Sequence, residues 1–473
     1  MNNTINVRFT ATRISPLGFF ILIGLFVTII EYSIGIFSED EALTNLYVIQ
    51  LSIIFIVSYA ESVRRLGWLH LFSLLHFSTF VFMISAMILS LFNSGYLIRE
   101  FVSPSRITFS EVTVQHVALI FSAYIATCNL VFFSIYKNNR SEIDLDQICI
   151  NKDGYLSVGR TLLIIGLPFS LYVNLYYLLN VNRAAEYLAG NRGAIGLPLW
   201  ARLLDTLTIV GFLLIVASKP PYKKFVLYTI LYSIPMIPLL LYGERGQPLM
   251  VVLFFFWYRY RFYNKKVKFV YLVVIGVSTI LVAYFIQEVR QGIMFSGGNV
   301  FKLLISFFGG SSTTVKLTSY YVEYADKLPH NYPFFLDQAI SGLFGLFGES
   351  YTGQSLHTLA GRSALGHQLT YYVNPNYYLA GASMGTAWVT ECYEFGLIGV
   401  MIGGAVLAKF CQLLDTRIIY SRYWSVFIFE FFSIIILSPR GSLLPSIYLL
   451  LKYTIVVFIA MGAYDLVKSR KRR

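Results

Sequence analysis

Apolar residues run along this chain in long unbroken stretches separated by short polar connectors, without the strict alternation of a half-buried strand. A helix needs about 20 apolar residues to cross the hydrocarbon of a bilayer, and somewhat fewer when flanking side chains reach back to the interface. On that criterion the pattern predicts twelve spans: Leu17 to Phe37, Leu46 to Ala60, Trp68 to Phe92, Val112 to Tyr136, Leu162 to Leu179, Leu203 to Ala217, Phe225 to Tyr242, Leu249 to Tyr260, Phe269 to Ile286, Met384 to Ala408, Trp424 to Ser438 and Leu443 to Tyr464. The second, sixth, eighth and eleventh are short. The fold class expected is therefore all-α: a polytopic integral membrane protein of about 12 transmembrane helices.

Composition agrees. Hydrophobic residues make up 56% and charged residues 13% of the chain, with a mean hydropathy of +0.65, outside the range of soluble domains. Aromatics at 17% suit rings held at the headgroup level. The net charge of +13 would suggest nucleic acid if it formed a stripe, but it collects in short connectors: Arg64-Arg65, Lys223-Lys224, Arg259 to Lys268 and Lys468 to Arg473. That distribution is an orientation signal, and no nucleic-acid partner is expected. With the amino terminus cytoplasmic, inner segments collect 24 of the 37 Lys and Arg residues, outer segments 12, and the last span one, Lys452. Both termini are predicted cytoplasmic. Leu17 to Phe37 is too long for a signal-peptide core and lacks a small-residue cleavage pattern, so it is read as an uncleaved first span. The four cysteines (Cys128, Cys149, Cys392, Cys411) show neither metal spacing nor a disulfide framework.

The connectors are short except one. Glu288 to Ser383 lies between two spans on the outer side, and its apolar pieces Phe301 to Phe308 and Phe334 to Phe347 are too short to cross. These are expected as interfacial or re-entrant helices lying on the bundle, separated by Gly297-Gly298 and Gly309-Gly310. The organisation expected is residues 1–287 with spans one to nine, 288–383 as one large periplasmic loop, and 384–473 with spans ten to twelve and a basic cytoplasmic tail.

Ionisable groups held near a membrane surface are costly unless partnered or used. Four outer regions carry them. Asn182 to Arg202 contains Arg183, Glu186, Arg192 and Arg202, and reads equally well as a solvated loop. Gly243-Glu244-Arg245-Gly246-Gln247 is a tight connector in which Arg245, between glycines, is able to bring its donor fork to a phosphate; the bland alternatives are a turn and snorkelling. In the long loop, Glu288 and Arg290 follow the ninth span, and Gly361 to His367 combines Arg362 with His367, a group that exchanges protons near neutral pH. A lone His is more often structural, and His330 and His357 are weaker candidates. In Gly381 to Gly399, a helix would set Trp388, Glu391 and Phe395 at i, i+3 and i+7, with Glu394 three residues beyond Glu391; the glycines also suit close helix packing. Pro439-Arg440-Gly441-Ser442 gives a last outer hairpin with an Arg.

Many spans, one large outer loop near the carboxy end, Arg-bearing outer loops, and the Gly-x-Ser-x-Gly-Thr then Glu-x-Tyr-x-x-Phe-Gly-x-x-Gly stretch together resemble the O-antigen polymerases, the Wzy family. The resemblance implies a GT-C type membrane glycosyltransferase that joins undecaprenyl-diphosphate-linked repeat units on the periplasmic face of the bacterial inner membrane. It also implies working arginines in two outer loops, matched here by Arg183 or Arg192 and by Arg290 or Arg362. The donor and acceptor lipid-linked oligosaccharides and membrane lipids are the implied partners, in principle with a chain-length regulator. Binding a diphosphate leaving group falls to Arg245, Arg290, Arg362 and Arg440, with Glu391 or His367 as base or acceptor-orienting group. No acidic array demands a divalent cation, so no cofactor and metal-independent transfer are expected. Two rivals are an O-antigen ligase delivering glycan to lipid A-core and a flippase or transporter. Against the ligase, His367 lacks the His-Asn surroundings of that group; against transport, no matching halves are found and mid-membrane charges are few, with Lys452 the exception, readable equally as a transport residue or as paired with a neighbouring helix.

Overall fold

The structure is a computed structural model and describes residues 15–93, 97, 108–136, 152–180, 197–242, 246–263, 278, 300–344, 351, 353–379, 381, 383–421 and 423–470. Every regular element among the described residues is a helix. Seven of these are long and apolar enough to cross a membrane: Pro16–Ile34, Glu41–Leu66, Leu71–Ser90, Glu111–Ile135, Asp153–Leu179, Trp388–Tyr420 and Ile447–Arg470. They fall on the first five, the tenth and the twelfth predicted spans. The sixth is Leu199–Ala217, the eighth Gly246–Tyr263, and the eleventh Ile428–Leu437 between 3-10 turns. The seventh is split, into Tyr222–Ser233 and Met236–Tyr242, at Pro235. The ninth, Phe269 to Ile286, lies outside the described residues.

Local chemistry sets the helix ends. Ser15 Oγ accepts from Gly18 N at 2.9 Å with Pro16 at the first helical position, Asp40 Oδ1 accepts from Ala42 N at 2.9 Å, and Ser110 Oγ accepts from Thr113 N at 3.2 Å. Each cap satisfies an orphan N–H that the bilayer interface would leave costly. Gly35, at φ 70°, closes the first helix in the left-handed conformation that an L side chain resists.

The core is organised around Glu111–Ile135, whose Val117, Ala118, Leu119, Ile120 and Phe121 are fully buried. It packs against Pro16–Ile34, Glu41–Leu66 and Gly396–Thr416. Gly404 makes the last contact close: a Cβ there would lie 2.8 Å from Tyr124 O. A second tight pair joins Lys152–Asn180 to Leu199–Ala217, where Cβ atoms at Gly166 and Gly211 would lie 2.5 Å from the facing backbone. By contrast Phe19, Phe20, Ile398, Ile402, Phe458 and Ile459 are all more than half exposed. Such outward apolar rows are what lipid, rather than water, solvates.

The helices alternate direction, so the connectors segregate to two ends. At one end, Gln115 Nε2 donates to Ser38 O at 2.7 Å, Ser85 Oγ to Phe308 O at 2.9 Å, and Trp388 N to Gly441 O at 2.8 Å. At the other, Tyr260 OH donates to Leu66 O at 2.8 Å, and Ser15 Oγ bonds the Glu61 carboxylate. The segment after Val300 belongs to the first end. It forms Val300–Ser311, Thr313–Tyr324, Asp337–Phe344, Leu356–Gly361, Leu365–Val373 and Pro375–Leu379. Thr313–Tyr324 is not peripheral: Leu317 and Tyr320 are buried, and Thr314 Oγ1 donates to Pro439 O.

One expectation is corrected. Met384 to Ala408 was expected as a single helix with Trp388, Glu391 and Phe395 in register, but helix begins at Trp388 and breaks after Cys392 into a 3-10 turn, Tyr393–Phe395, before Gly396–Thr416. Gly396 at φ 63° permits the break, and the bare Gly399, whose Cβ would lie 2.2 Å from Cys392 O, lets the turn fold onto the next helix. Phe395 is consequently 54% exposed while Trp388 is buried.

Candidate functional site

At the loop end the structure brings together two of the segments that carry candidate chemistry. Glycine makes the contact: a Cβ on Gly366 would lie 2.0 Å from Gly385 O. Met384 N donates to Thr370 Oγ1 at 2.9 Å across the same seam. The stretch Gly361 to His367 is thereby pressed against the entry to the Trp388 helix.

Arg362 is fixed from its backbone outward. Its carbonyl accepts from Gln368 Nε2 at 2.9 Å, and the neighbouring Ser363 Oγ accepts from Asn331 N at 2.8 Å and Tyr332 N at 3.1 Å. Those bonds draw in residues 331–337. Arg362 then forks onto Asp337, with Nε to Oδ1 at 3.2 Å and Nη2 to Oδ2 at 2.5 Å. Two parallel charge-assisted bonds fix the plane of the guanidinium as well as its position. Tyr332 OH adds a bond to Asp337 Oδ1 at 2.8 Å, and burial together with that carboxylate pushes the Tyr332 phenol up from its usual pKa. The Arg362 side chain keeps 20% of its surface exposed, and its Nη1 makes no protein hydrogen bond among the described residues. A cation held rigidly with one donor edge open is suited to an anion.

Glu391 is within electrostatic reach of Asp337, the carboxylate that holds this fork. It is 3% exposed, and its Oε1 accepts from Thr386 Oγ1 at 2.7 Å. Its Oε2 is buried and makes no hydrogen bond of good geometry; the Ser442 hydroxyl beside it is its one weak protein neighbour among the described residues. A carboxylate oxygen so weakly satisfied at this depth is costly, and Glu61 at the far end of the bundle shares that feature. Glu394, brought by the 3-10 turn to a different wall, is closed off: its Oε2 accepts from Phe334 N at 2.8 Å and its Oε1 faces His330 Nε2 at 3.1 Å.

The remaining candidates divide. His367 Nδ1 lies 3.2 Å from Tyr378 OH, and burial first, then the Arg362 charge, lowers its pKa to about 4. It is neutral at pH 7, so it serves as a hydrogen-bonding group rather than a cation. His357 packs on the Tyr351 ring. Arg440 is carried by the Pro439–Gly441 segment that receives the Trp388 N–H, but its guanidinium leans on the Phe82 ring, 5.4 Å from the centroid. Arg183, Arg192, Arg245 and Arg290, with Glu186, Glu244 and Glu288, lie outside the described residues, as does the side chain of Arg202. Sequence reasoning missed Asp337, Tyr332 and Tyr378. Asp337 had a signal, being the lone charge within the apolar stretch Phe334 to Phe347.

The opposite end holds buried carboxylates of its own, Glu61 and Asp415. Asp415 accepts from Arg261 Nε at 2.9 Å and Tyr136 OH at 3.3 Å, with His70 Nε2 at 3.4 Å, while Arg261 Nη2 also bonds Asp415 O and Tyr420 OH. Both its oxygens are engaged.

The family profile described as O-antigen polysaccharide polymerase Wzy matches residues 18–469, almost the whole chain. No curated protein and no solved structure matches. The matched span includes every helix long enough to cross a membrane except two residues at the start of the first and one at the end of the last, and it includes the Arg362–Asp337–Glu391 cluster. The chain belongs to the Wzy family of O-antigen polysaccharide polymerases, multi-pass membrane glycosyltransferases that act on lipid-linked oligosaccharide repeat units.

Proposed function

We propose that this chain joins undecaprenyl-diphosphate-linked oligosaccharide repeat units on the periplasmic face of the bacterial inner membrane, by GT-C type glycosyl transfer. The observation that carries the reading is that Asp337 links a fixed, open-edged Arg362 to a buried, weakly satisfied Glu391, at the end of the bundle where the long connector folds. A lipid diphosphate needs a cation at the leaving group, and an acceptor hydroxyl needs somewhere to send its proton.

In the proposed step the acceptor oxygen forms a bond to the anomeric carbon of the donor sugar as the bond from that carbon to the diphosphate breaks. The hydroxyl proton passes to Glu391 Oε2, and undecaprenyl diphosphate departs with the bonding pair. Arg362 Nη1 takes a share of the charge that develops there. Arg245, Arg290 and Arg440, with Arg183 or Arg192, are proposed as further diphosphate contacts on the strength of their places in the outer connectors. His367, neutral and held by Tyr378, is proposed to orient the acceptor. Transfer is proposed to need no metal ion: arginines supply the positive charge.

The test is purified full-length protein with a synthetic lipid-diphosphate repeat unit, followed as a product ladder. The reading expects a ladder that persists in chelator and collapses with Arg362→Ala or Arg245→Ala. A ladder lost in chelator and restored by magnesium refutes metal independence, and no ladder under any lipid condition refutes the polymerase reading of this chain's chemistry.

A further inference from the structure

A cavity of about 440 Å³ lies among Lys152–Asn180, Leu199–Ala217, the split seventh segment and Ile447–Arg470, away from Arg362 and Glu391. Its volume falls within the range of small-molecule sites, roughly 300–1,000 Å³. Its walls are polar although the helices that build it are apolar: Asn174, Asp205, Tyr232, Gln247, Lys452 and Tyr453 all face it. Asp205 and Lys452 are within electrostatic reach of one another yet form no direct ion pair. Holding opposite charges apart inside a membrane bundle forgoes the pairing that would offset their desolvation.

The backbone is broken at the same place. The helix Tyr222–Ser233 stops and Met236–Tyr242 begins around Pro235, which lines the cavity, and Asn174 Nδ2 donates to the freed Pro235 carbonyl at 2.7 Å. Irregular backbone at membrane depth is tolerated where it is buried in protein or lines a polar cavity. The position is also informative. Gln247 follows the connector that holds Arg245. Lys452 is one helical turn beyond Tyr448, whose Cβ would lie 2.7 Å from a Cβ on Gly342, in the helix that carries Asp337. Lys452 therefore lies about 6 Å along its helix from the contact with Gly342, five residues from Asp337 on the helix that supports the Arg362 fork.

The chemistry of the walls selects the occupant. One carboxylate and one ammonium cancel, so a diphosphate dianion would meet Asp205 without a surplus of cations. An alkyl chain would offer no hydrogen bond to the Lys452 ammonium and none to the Asp205 carboxylate beyond that of Ser170. A neutral polyhydroxylated ring would donate to Asp205, accept from Lys452 and Gln247, and lay its C–H face on tyrosine. We infer that this chamber is a saccharide subsite, which takes one sugar residue of the lipid-linked glycan while the diphosphate stays at the arginine cluster. The inference rests on the polymerase reading and adds to it where a sugar is held.

The experiment uses full-length protein in lipid nanodiscs and two probes: the intact lipid-linked repeat unit, and the same oligosaccharide released from its carrier by mild acid. Saturation-transfer NMR on the released oligosaccharide reads binding, and the product ladder reads KM and kcat. Asp205→Asn removes the carboxylate, and Leu239→Trp fills the chamber without touching a charge. Both variants are expected to weaken saturation transfer about fivefold or more and to raise KM about tenfold with kcat within about threefold, the signature of lost ground-state binding. Inorganic pyrophosphate is expected not to displace the oligosaccharide. Unchanged saturation transfer and unchanged KM in a folded Leu239→Trp protein would overturn the subsite, as would displacement by pyrophosphate. If wild type builds no ladder yet binds the released oligosaccharide in a way that Leu239→Trp abolishes, the polymerase reading fails and the saccharide site stands.

Discussion

Asp415 and Glu391 are both buried carboxylates on one continuous stretch of chain, at opposite ends of the bundle, and they are treated in opposite ways. Asp415 is closed: Arg261, Tyr136 and His70 meet its oxygens, and Arg261 also ties its carbonyl to Tyr420. Glu391 has Thr386 on one oxygen and only the loosely placed Ser442 hydroxyl near the other. A closed network offsets the desolvation of its own charges and so explains itself as structure. A weakly satisfied one does not, and the poor partner becomes the reason to look for a substrate. The same contrast separates Glu394, sealed by Phe334 N and His330, from its neighbour Glu391 three residues away.

The comparison predicts different kinds of damage at the two ends. The largest effect is expected for Arg362→Ala, which removes the cation from the proposed leaving-group site. Ladder synthesis per folded molecule should fall roughly 100- to 1,000-fold, as when one donor to developing charge is lost. Arg362→Lys, which keeps charge but not the fork on Asp337, should recover only part of it; full recovery would mean that the planar geometry is irrelevant.

Asp415→Ala should act on stability instead. Leaving the part-exposed Arg261 without its carboxylate costs about 1–3 kcal/mol, visible as a lowered melting midpoint in detergent, with near-normal activity from the protein that remains folded. A large loss of activity at full stability would erase the distinction between the two ends.

His367 supplies a subtler test through pH. Its folded pKa is lowered to about 4, whereas an unfolded histidine titrates near 6.5. The unfolded chain therefore takes up this proton first as pH falls, so the fold loses stability between roughly pH 6.5 and pH 4 and keeps it above that window. In His367→Gln the midpoint should decline less steeply across the window, read by thermal melts at stepped pH; an unchanged slope would remove His367 from the account. The smallest effect belongs to Tyr332→Phe. It deletes one hydrogen bond to Asp337, worth about 1 kcal/mol, while the Arg362 fork persists.

Much of this was legible in the residues themselves. Apolar runs located the helices because only length and hydropathy matter for crossing a bilayer, and Gly361–His367 and Gly381–Gly399 stood out because charges between glycines are rare in such a chain. That these two segments touch, through Gly366 and Gly385, was not legible, since it depends on packing. Asp337 was hidden within a stretch read only for its apolarity, and its partner Arg362 is 25 residues away. The break at Tyr393–Phe395 escaped because helical periodicity was extended through Gly396, whose φ of 63° ends it. The Asp415 network spans 154 residues to Arg261, and nothing local to either announces the other.

The most direct measurement sets Glu391→Gln beside wild type in the purified ladder assay, with initial rates normalised to folded protein and melting midpoints recorded on the same samples. Glutamine keeps the shape and a hydrogen bond to Thr386 but removes the proton acceptor. The account predicts a rate at least about 100-fold lower with a midpoint within a few degrees of wild type. A variant that elongates within about threefold of wild type, at any midpoint, contradicts it.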